Sequence, residues 1–174
     1  MTSEVVEVNR APVLTLWASV VAQRLGYDQE AALSLGRALA GLNAQAKGRR
    51  LGIFKPPEKK PPKKPRVGEE FWVELLGRPV PAVQTARGVR AVSGARPVDP
   101  EGVERYLEGK FGDALDSVRR AMEALAASLQ PAELAAGAYA LYEQFRPSIP
   151  GGVRGWGAKG ELSLDRIREL AEKD

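Results

Sequence analysis

A basic, proline-rich stretch at positions 55–66 divides this chain into two parts. Its sequence, "KPPEKKPPKKPR", holds five prolines, six basic residues and one glutamate. Proline lacks an N–H donor and has a fixed φ angle, so such a stretch cannot form the interior of a helix or a central strand. Like charges and proline both favour extended backbone. The sequence therefore predicts an exposed segment without regular structure at 55–66.

The absence of histidine and cysteine limits the chemistry that the 174 residues can perform. Histidine is the most frequent general base, and zinc sites are built mainly from histidine and cysteine. We therefore expect no disulfide, no metal site of the usual kind, no Ser-His-Asp triad and no cofactor. Chemistry by carboxylate, lysine or tyrosine side chains stays open. Because no catalytic constellation is recognisable, we assign no catalytic residue and favour a non-catalytic role.

Hydrophobic residues make up 44% of the chain, which is ordinary for a globular protein. No apolar run approaches the roughly 18 residues that a membrane-spanning helix needs. The first ten residues, "MTSEVVEVNR", lack the basic start and apolar block of a signal peptide. From these features we expect a cytoplasmic protein without a membrane span.

The N-terminal part of the sequence predicts a helical hairpin. Apolar residues in 12–25 recur at spacings of three and four, as on one face of a helix, and Gly26 suits the end of that helix. Asp28 is a typical N-cap for a second helix over 29–47. The apolar line of the second helix is Leu35, Leu39, Leu42 and Ala46. Gly36 and Ala40 add small residues that allow close contact with the first helix.

The residues that follow the basic stretch change to the period of a strand. In 70–76 the side chains alternate between two faces. One face has Phe71, Val73 and Leu75, and the other has Trp72, Glu74 and Leu76. The later segments "VPAVQ" and "GVRAVS" are short and contain breakers, which favours edge strands. The sequence predicts an antiparallel meander of two or three strands.

From Asp99 onward the pattern is helical again. Asp99, Pro100 and Glu101 form a helix start, and Pro131 begins a later helix. One seam of apolar residues steps by three and four and comprises Phe111, Leu115, Val118, Met122, Leu125 and Leu129. Gly112 and Asp113 are expected to divide this stretch into two helices. Ser163 is expected to cap a short final helix.

Together these patterns predict an α+β fold that is mainly α, with an N-terminal helical hairpin, a small antiparallel β-meander and a C-terminal helical bundle. The predicted regions are the hairpin at 1–54, the basic linker at 55–66 and the remainder at 67–174. The first and third regions are either separate or packed together as one domain.

The hairpin at 20–37 resembles the helix-turn-helix of DNA-binding repressors. Ala22 and Gly26 have the spacing of the small residue and turn glycine of that motif, and Leu25, Ala32 and Leu35 match its apolar positions. The resemblance implies that the second helix reads bases. Its first turn, however, is Asp28-Gln29-Glu30, and the phosphates of DNA repel the two acidic side chains. The alternative is an ordinary hairpin packed for stability.

The basic character of the chain is concentrated in one place. The whole chain has a net charge of +4, whereas residues 47–66 hold nine cations and one anion. A cluster of lysine and arginine is typical of phosphate binding by nucleic-acid-binding proteins. The candidate nucleic-acid-binding residues are Lys47, Arg49, Arg50, Lys55, Lys59, Lys60, Lys63, Lys64 and Arg66.

Two functions remain open from the sequence. The first is a non-catalytic protein that binds DNA or RNA through charge, with little sequence preference, using 47–66. The second is a protein–protein interaction module in which the apolar hairpin pairs with a second copy, giving a homodimer, or with another protein. A solvated tether is the simplest alternative explanation of the basic segment.

Overall fold

The computed structural model describes residues 5–8, 10–48, 67–93, 96–147 and 160–172; for 42–48, 93 and 96 it describes the backbone alone. A short strand and a helical hairpin come first: β1 (Val5–Val8), α1 (Arg10–Arg24) and α2 (Gln29–Gly48). Four strands follow: β2 (Glu70–Leu75), β3 (Arg78–Thr85), β4 (Gly88–Ser93) and β5 (Arg96–Pro97). The remaining elements are α3 (Pro100–Phe111), α4 (Leu115–Ala127), α5 (Pro131–Phe145), β6 (Gly160–Ser163) and α6 (Leu164–Glu172).

Helix α1 lies at the centre of the fold. Every residue from Pro12 to Ala22 is buried, because α2, α3, α4, α5 and β2 all pack around it. Trp17 is fully buried, and its Nε1 donates a hydrogen bond to the Ala138 carbonyl oxygen of α5 at 2.9 Å. The sequence predicted that one face of α1 is buried, whereas the helix is buried on all sides over these residues. Thr15 and Ser19 tolerate burial because their hydroxyls donate to α1 carbonyl oxygens.

The hairpin has the predicted turn and cap. Gly26 has a φ of +115°, which favours glycine, and the Asp28 carboxylate accepts a hydrogen bond from the Ala31 N–H at 2.8 Å. Gly36 of α2 packs so closely on α1 that a β-carbon there would overlap the Thr15 carbonyl oxygen. The glycine therefore sets the separation of the two helices.

The four-stranded antiparallel sheet has the order β2-β3-β4-β5 and packs on α2. Phe71, Val73 and Leu75 face the core, as their alternation predicted. The prediction of edge strands at 80–84 and 88–93 is wrong, because β3 lies between β2 and β4 and β4 lies between β3 and β5, and the sheet has four strands where two or three were predicted. The β3–β4 ladder runs over Ala82–Thr85, so Pro79 and Pro81 lie where β3 is paired with β2 and not with β4. This explains how a central strand contains two prolines.

The C-terminal helices begin and end as the sequence predicted. The Asp99 carboxylate accepts a hydrogen bond from the Glu101 N–H, and a turn of 3₁₀ helix at Gly112–Ala114 separates α3 from α4. The seam from Phe111 to Leu125 is buried, and Leu129 is half-buried. The Ser163 hydroxyl accepts from the Arg166 N–H at 3.2 Å and caps α6.

A second, two-stranded sheet was not predicted. Strand β1 pairs with β6 in antiparallel register, with Val5 opposite Ser163 and Val8 opposite Gly160. Val8 and Leu162 are buried, so the pair covers one side of the core. The sequence of 148–162, which is rich in glycine and proline, predicts a loop, and this prediction is wrong for 160–162, which belong to β6.

The buried residues of the hairpin, the sheet and the C-terminal helices form one hydrophobic cluster. The predicted fold class, α+β and mainly α with a small antiparallel sheet, is confirmed. The predicted linker at 55–66 lies outside the described residues.

Candidate nucleic-acid interface

The candidate site begins at the end of α2. Lys47 is in the last turn of that helix, which ends at Gly48. The other eight candidates, Arg49, Arg50, Lys55, Lys59, Lys60, Lys63, Lys64 and Arg66, lie outside the described residues. The structure therefore defines the two points at which the fold holds the basic segment, and these are the end of α2 and the start of β2.

The chain re-enters the described fold beside the β3–β4 turn. The N–H of Gly68 donates a hydrogen bond to the Gln84 carbonyl oxygen at 2.7 Å, and Val67 before it is 72% exposed. Strand β4 begins at Gly88, next to Asp28 at the start of α2. The basic segment thus leaves the fold at the last turn of α2 and returns to it near the first.

The surface of α2 carries a further cation that is held by an aromatic ring. The guanidinium carbon of Arg37 lies 4.3 Å from the ring centroid of Tyr106 in α3, and the Lys110 Nζ lies 5.9 Å from the same centroid. Arg37 and Lys110 are exposed, and Tyr106 is half-buried. Burial raises the pKa of Tyr106, while the neighbouring Arg37 guanidinium partly lowers it. Sequence reasoning missed this cluster, because its members lie on two helices far apart in the chain.

The helix-turn-helix resemblance does not extend to an accessible second helix. Between Gln29 and Gly41, α2 is enclosed by α1 and the sheet, and every residue is buried except Gln29, Glu30, Arg37 and Gly41. Glu30 pairs with Arg90 of β4. This part of α2 therefore presents no face that could enter the major groove, whose direct readout needs several side chains on base edges.

The apolar residues of the hairpin are buried within the chain itself. Trp17 and Leu39, which a partner surface would expose, are 0% and 1% exposed. A partner that bound the hairpin through these residues would have to displace α5 or the sheet.

A cavity of about 230 Å³ lies between the β3–β4 turn and the start of α3. Its lining includes Glu30, Arg87, Arg90 and Asp99, so its charges are mixed. Arg90 donates to the Val89 carbonyl oxygen and to the Glu30 carboxylate, and Asp99 caps α3. These polar groups stabilise the fold, and the arrangement offers no nucleophile with a neighbouring base.

Carboxylates are among the side chains on which catalysis could still depend. Of these, Glu74, Asp113 and Asp116 are exposed, and none of the three lines the cavity described above. Within the described ranges, no three metal-ligating side chains of histidine, cysteine, aspartate or glutamate come together.

Comparisons with protein-family models, characterised proteins and solved structures found no match. None of the helices in the described part of the chain is both long and apolar enough to span a bilayer.

Proposed function

We propose that this protein binds nucleic acid without catalysis and with little sequence preference, through the basic segment 47–66. The observation that carries the proposal is the separation of charge along the chain. Residues 47–66 have a net charge of +8, which leaves −4 for the rest of the sequence. A segment that needed solubility alone could mix its signs, as most protein surfaces do.

Two properties of the segment favour phosphate over a specific base sequence as its ligand. Lysine is a compact point charge on a flexible stem, and it contacts phosphate oxygens without reading base edges. Phosphate contacts supply most of the affinity in non-specific binding. The fold supports this use because the segment is attached between α2, which ends at Gly48, and β2, which begins at Glu70, and residues of both elements belong to the hydrophobic core.

A salt titration tests the proposal. We expect labelled duplexes of DNA and of RNA with unrelated sequences to bind with similar affinity in fluorescence anisotropy. Because each neutralised phosphate releases counterions, four to six contacts give a log–log salt slope of roughly −4 to −5 on B-DNA. Replacing Lys59, Lys60, Lys63 and Lys64 together by glutamine should bring the slope about 3 to 4 closer to zero.

The matched control keeps the charge at the same four positions. The variant with arginine at 59, 60, 63 and 64 should bind like the wild-type protein, since the contacts are electrostatic. Absence of binding at about 50 mM salt, or unchanged binding by the glutamine variant, would overturn the proposal. The segment would then be a tether.

The alternative function, pairing through the apolar hairpin, is tested by light scattering on the same samples. Because Trp17 and Leu39 are buried, pairing through them requires the hairpin to open. A dimer that persists when the nucleic-acid titration is negative would favour this second proposal.

A further inference from the structure

The cluster of Arg37, Tyr106 and Lys110 brings two exposed cations to one aromatic ring. Arg90, Arg119, Arg166 and Arg168 each pair with a carboxylate. Arg10 and Arg24 donate to backbone carbonyl oxygens. Within the described part of the chain, Arg37 has the Tyr106 ring as its partner and no carboxylate within ion-pair distance. Among the described residues, Arg37 thus has no carboxylate partner, as is also true of exposed arginines such as Arg105 and Arg120, and its contact with a ring is what distinguishes it from them.

The position of Arg37 relates it to the basic segment. Gly48, at which the segment leaves α2, is eleven residues after Arg37. At 3.6 residues per turn and 1.5 Å per residue, the position of Gly48 is rotated about 20° around the helix axis from that of Arg37 and lies about 16 Å further along the axis. That distance equals the axial length of about five base pairs. A duplex that is bound at the last turn of α2 and lies along the helix would therefore need only about five base pairs to reach the position of Arg37.

The facing surface of α3 carries no acid beside the ring. The residues one turn before and after Tyr106 on its own side of the helix are Gly102, Val103, Gly109 and Lys110. The acidic side chain of Glu104 is engaged by Arg119 in two hydrogen bonds of 3.0 and 2.8 Å. A phosphate that approaches Arg37 and Lys110 thus meets two cations and an aromatic ring, with the nearest acids on this side, Asp99 beside Gly102 and Asp113 after Lys110, further along the chain.

We infer that Arg37 and Lys110, arranged around the Tyr106 ring, form a second phosphate-binding surface for the nucleic acid that the basic segment binds. This inference rests on the proposed function. The ring holds the guanidinium of Arg37 in one orientation, which reduces the side-chain entropy lost on binding a phosphate. The bound nucleic acid then lies along the second half of α2, from its last turn to the middle of the helix, where Arg37 contacts Tyr106 of α3.

The test compares charge-matched variants of the full chain. R37Q/K110Q should bring the salt slope on duplex DNA about 1.8 closer to zero, the value for two lost phosphate contacts. R105Q/R120Q removes the same charge from exposed positions outside the cluster and should leave the slope near that of the wild-type protein. Y106L keeps both cations and removes the ring, so it should weaken binding while changing the slope by less than the double variant.

The outcomes separate this inference from the proposed function. If the wild-type protein binds and the 59/60/63/64 glutamine variant does not, while R37Q/K110Q binds like R105Q/R120Q, the inference fails and the proposed function stands. If the wild-type protein binds no nucleic acid at low salt, both fail. If R37Q/K110Q has a shallower salt slope than the wild-type protein and R105Q/R120Q does not, the second phosphate-binding surface is supported. Thermal unfolding of each variant checks that the fold is intact.

Discussion

Gly36 of α2 lies against the backbone carbonyl of Thr15 in α1, so closely that a β-carbon at position 36 would overlap the carbonyl oxygen. The same β-carbon would lie 3.2 Å from the Ser19 Cβ. The packing of the hairpin therefore depends on the absence of one methyl group.

Gly36→Ala should destabilise the protein by about 1–3 kcal/mol, because the extra methyl forces the two buried helices apart. Gly41→Ala is the matched control in the same helix, since a β-carbon there meets nothing within 4 Å. It should stabilise the helix by about 0.5–1 kcal/mol. Urea denaturation of both variants checks the opposite signs, and equal effects would contradict the close approach.

Trp17→Ala should cost about 3–5 kcal/mol, because it removes a fully buried ring from the centre of the core. The variant also loses the hydrogen bond to Ala138 and the edge contact with Phe145, whose ring centroid lies 5.2 Å away. Leu39→Ala should cost about 2–5 kcal/mol. A shift of the urea midpoint at constant m-value would report both losses. Values near zero would mean that the hairpin is not part of the core.

Glu30→Ala should cost about 1–3 kcal/mol although Glu30 itself is exposed, because its partner is not. The side chain of Arg90 is 6% exposed and that of Glu30 is 61% exposed. Loss of the carboxylate leaves a buried guanidinium with carbonyl acceptors alone. Glu169→Ala breaks the exposed pair with Arg166 and should cost at most about 0.5 kcal/mol. Equal costs in thermal unfolding would contradict the buried role of Arg90.

Stability should fall at alkaline pH because of Tyr142. Burial raises the pKa of Tyr142 from 10.0 to about 12. Below pH 10 the Tyr142 hydroxyl is protonated in both the folded and the unfolded chain, so its contribution to the free energy of unfolding is fully present there. As pH rises from 10 toward 12, the unfolded chain releases the proton while the folded chain keeps it, and stability is lost. The loss amounts to about 2–3 kcal/mol.

Tyr142→Phe should reduce this loss, because phenylalanine has no proton to release. Urea denaturation of the wild-type protein and the variant across pH 8 to about 12 measures the difference. Tyr139→Phe, three residues away on α5, keeps Tyr142 intact and is the control. An identical pH dependence in all three proteins would show that Tyr142 does not cause the loss.

Local signals accounted for most of the helical architecture. Capping residues such as Asp28 and Asp99, the turn at Gly26 and the apolar seam of α4 act within a few residues, so a single sequence reveals them. The alternation of Phe71, Val73 and Leu75 likewise revealed β2. The central position of β3 could not be predicted from the sequence, because its prolines are typical of an edge strand. A central strand can contain them only because the β3–β4 ladder is too short to include Pro79 and Pro81.

Signals that depend on the tertiary fold were missed. The β1–β6 pair joins residues about 155 positions apart, and four residues of "VVEV" give too little pattern to predict a strand. The contact of Arg37 with Tyr106 depends on how α2 packs against α3. The basic segment, in contrast, was evident from composition alone, and its role stays a prediction.

The pairing of β1 with β6 has a consequence for the order in which the protein folds during synthesis. At 5–20 residues per second, about 8–30 s separate the synthesis of these strands. For most of that interval, until α4 and α5 have been made, α1 lacks the helices that cover it and exposes surface that is buried in the finished protein. We expect the nascent chain to require a chaperone more than the completed chain does.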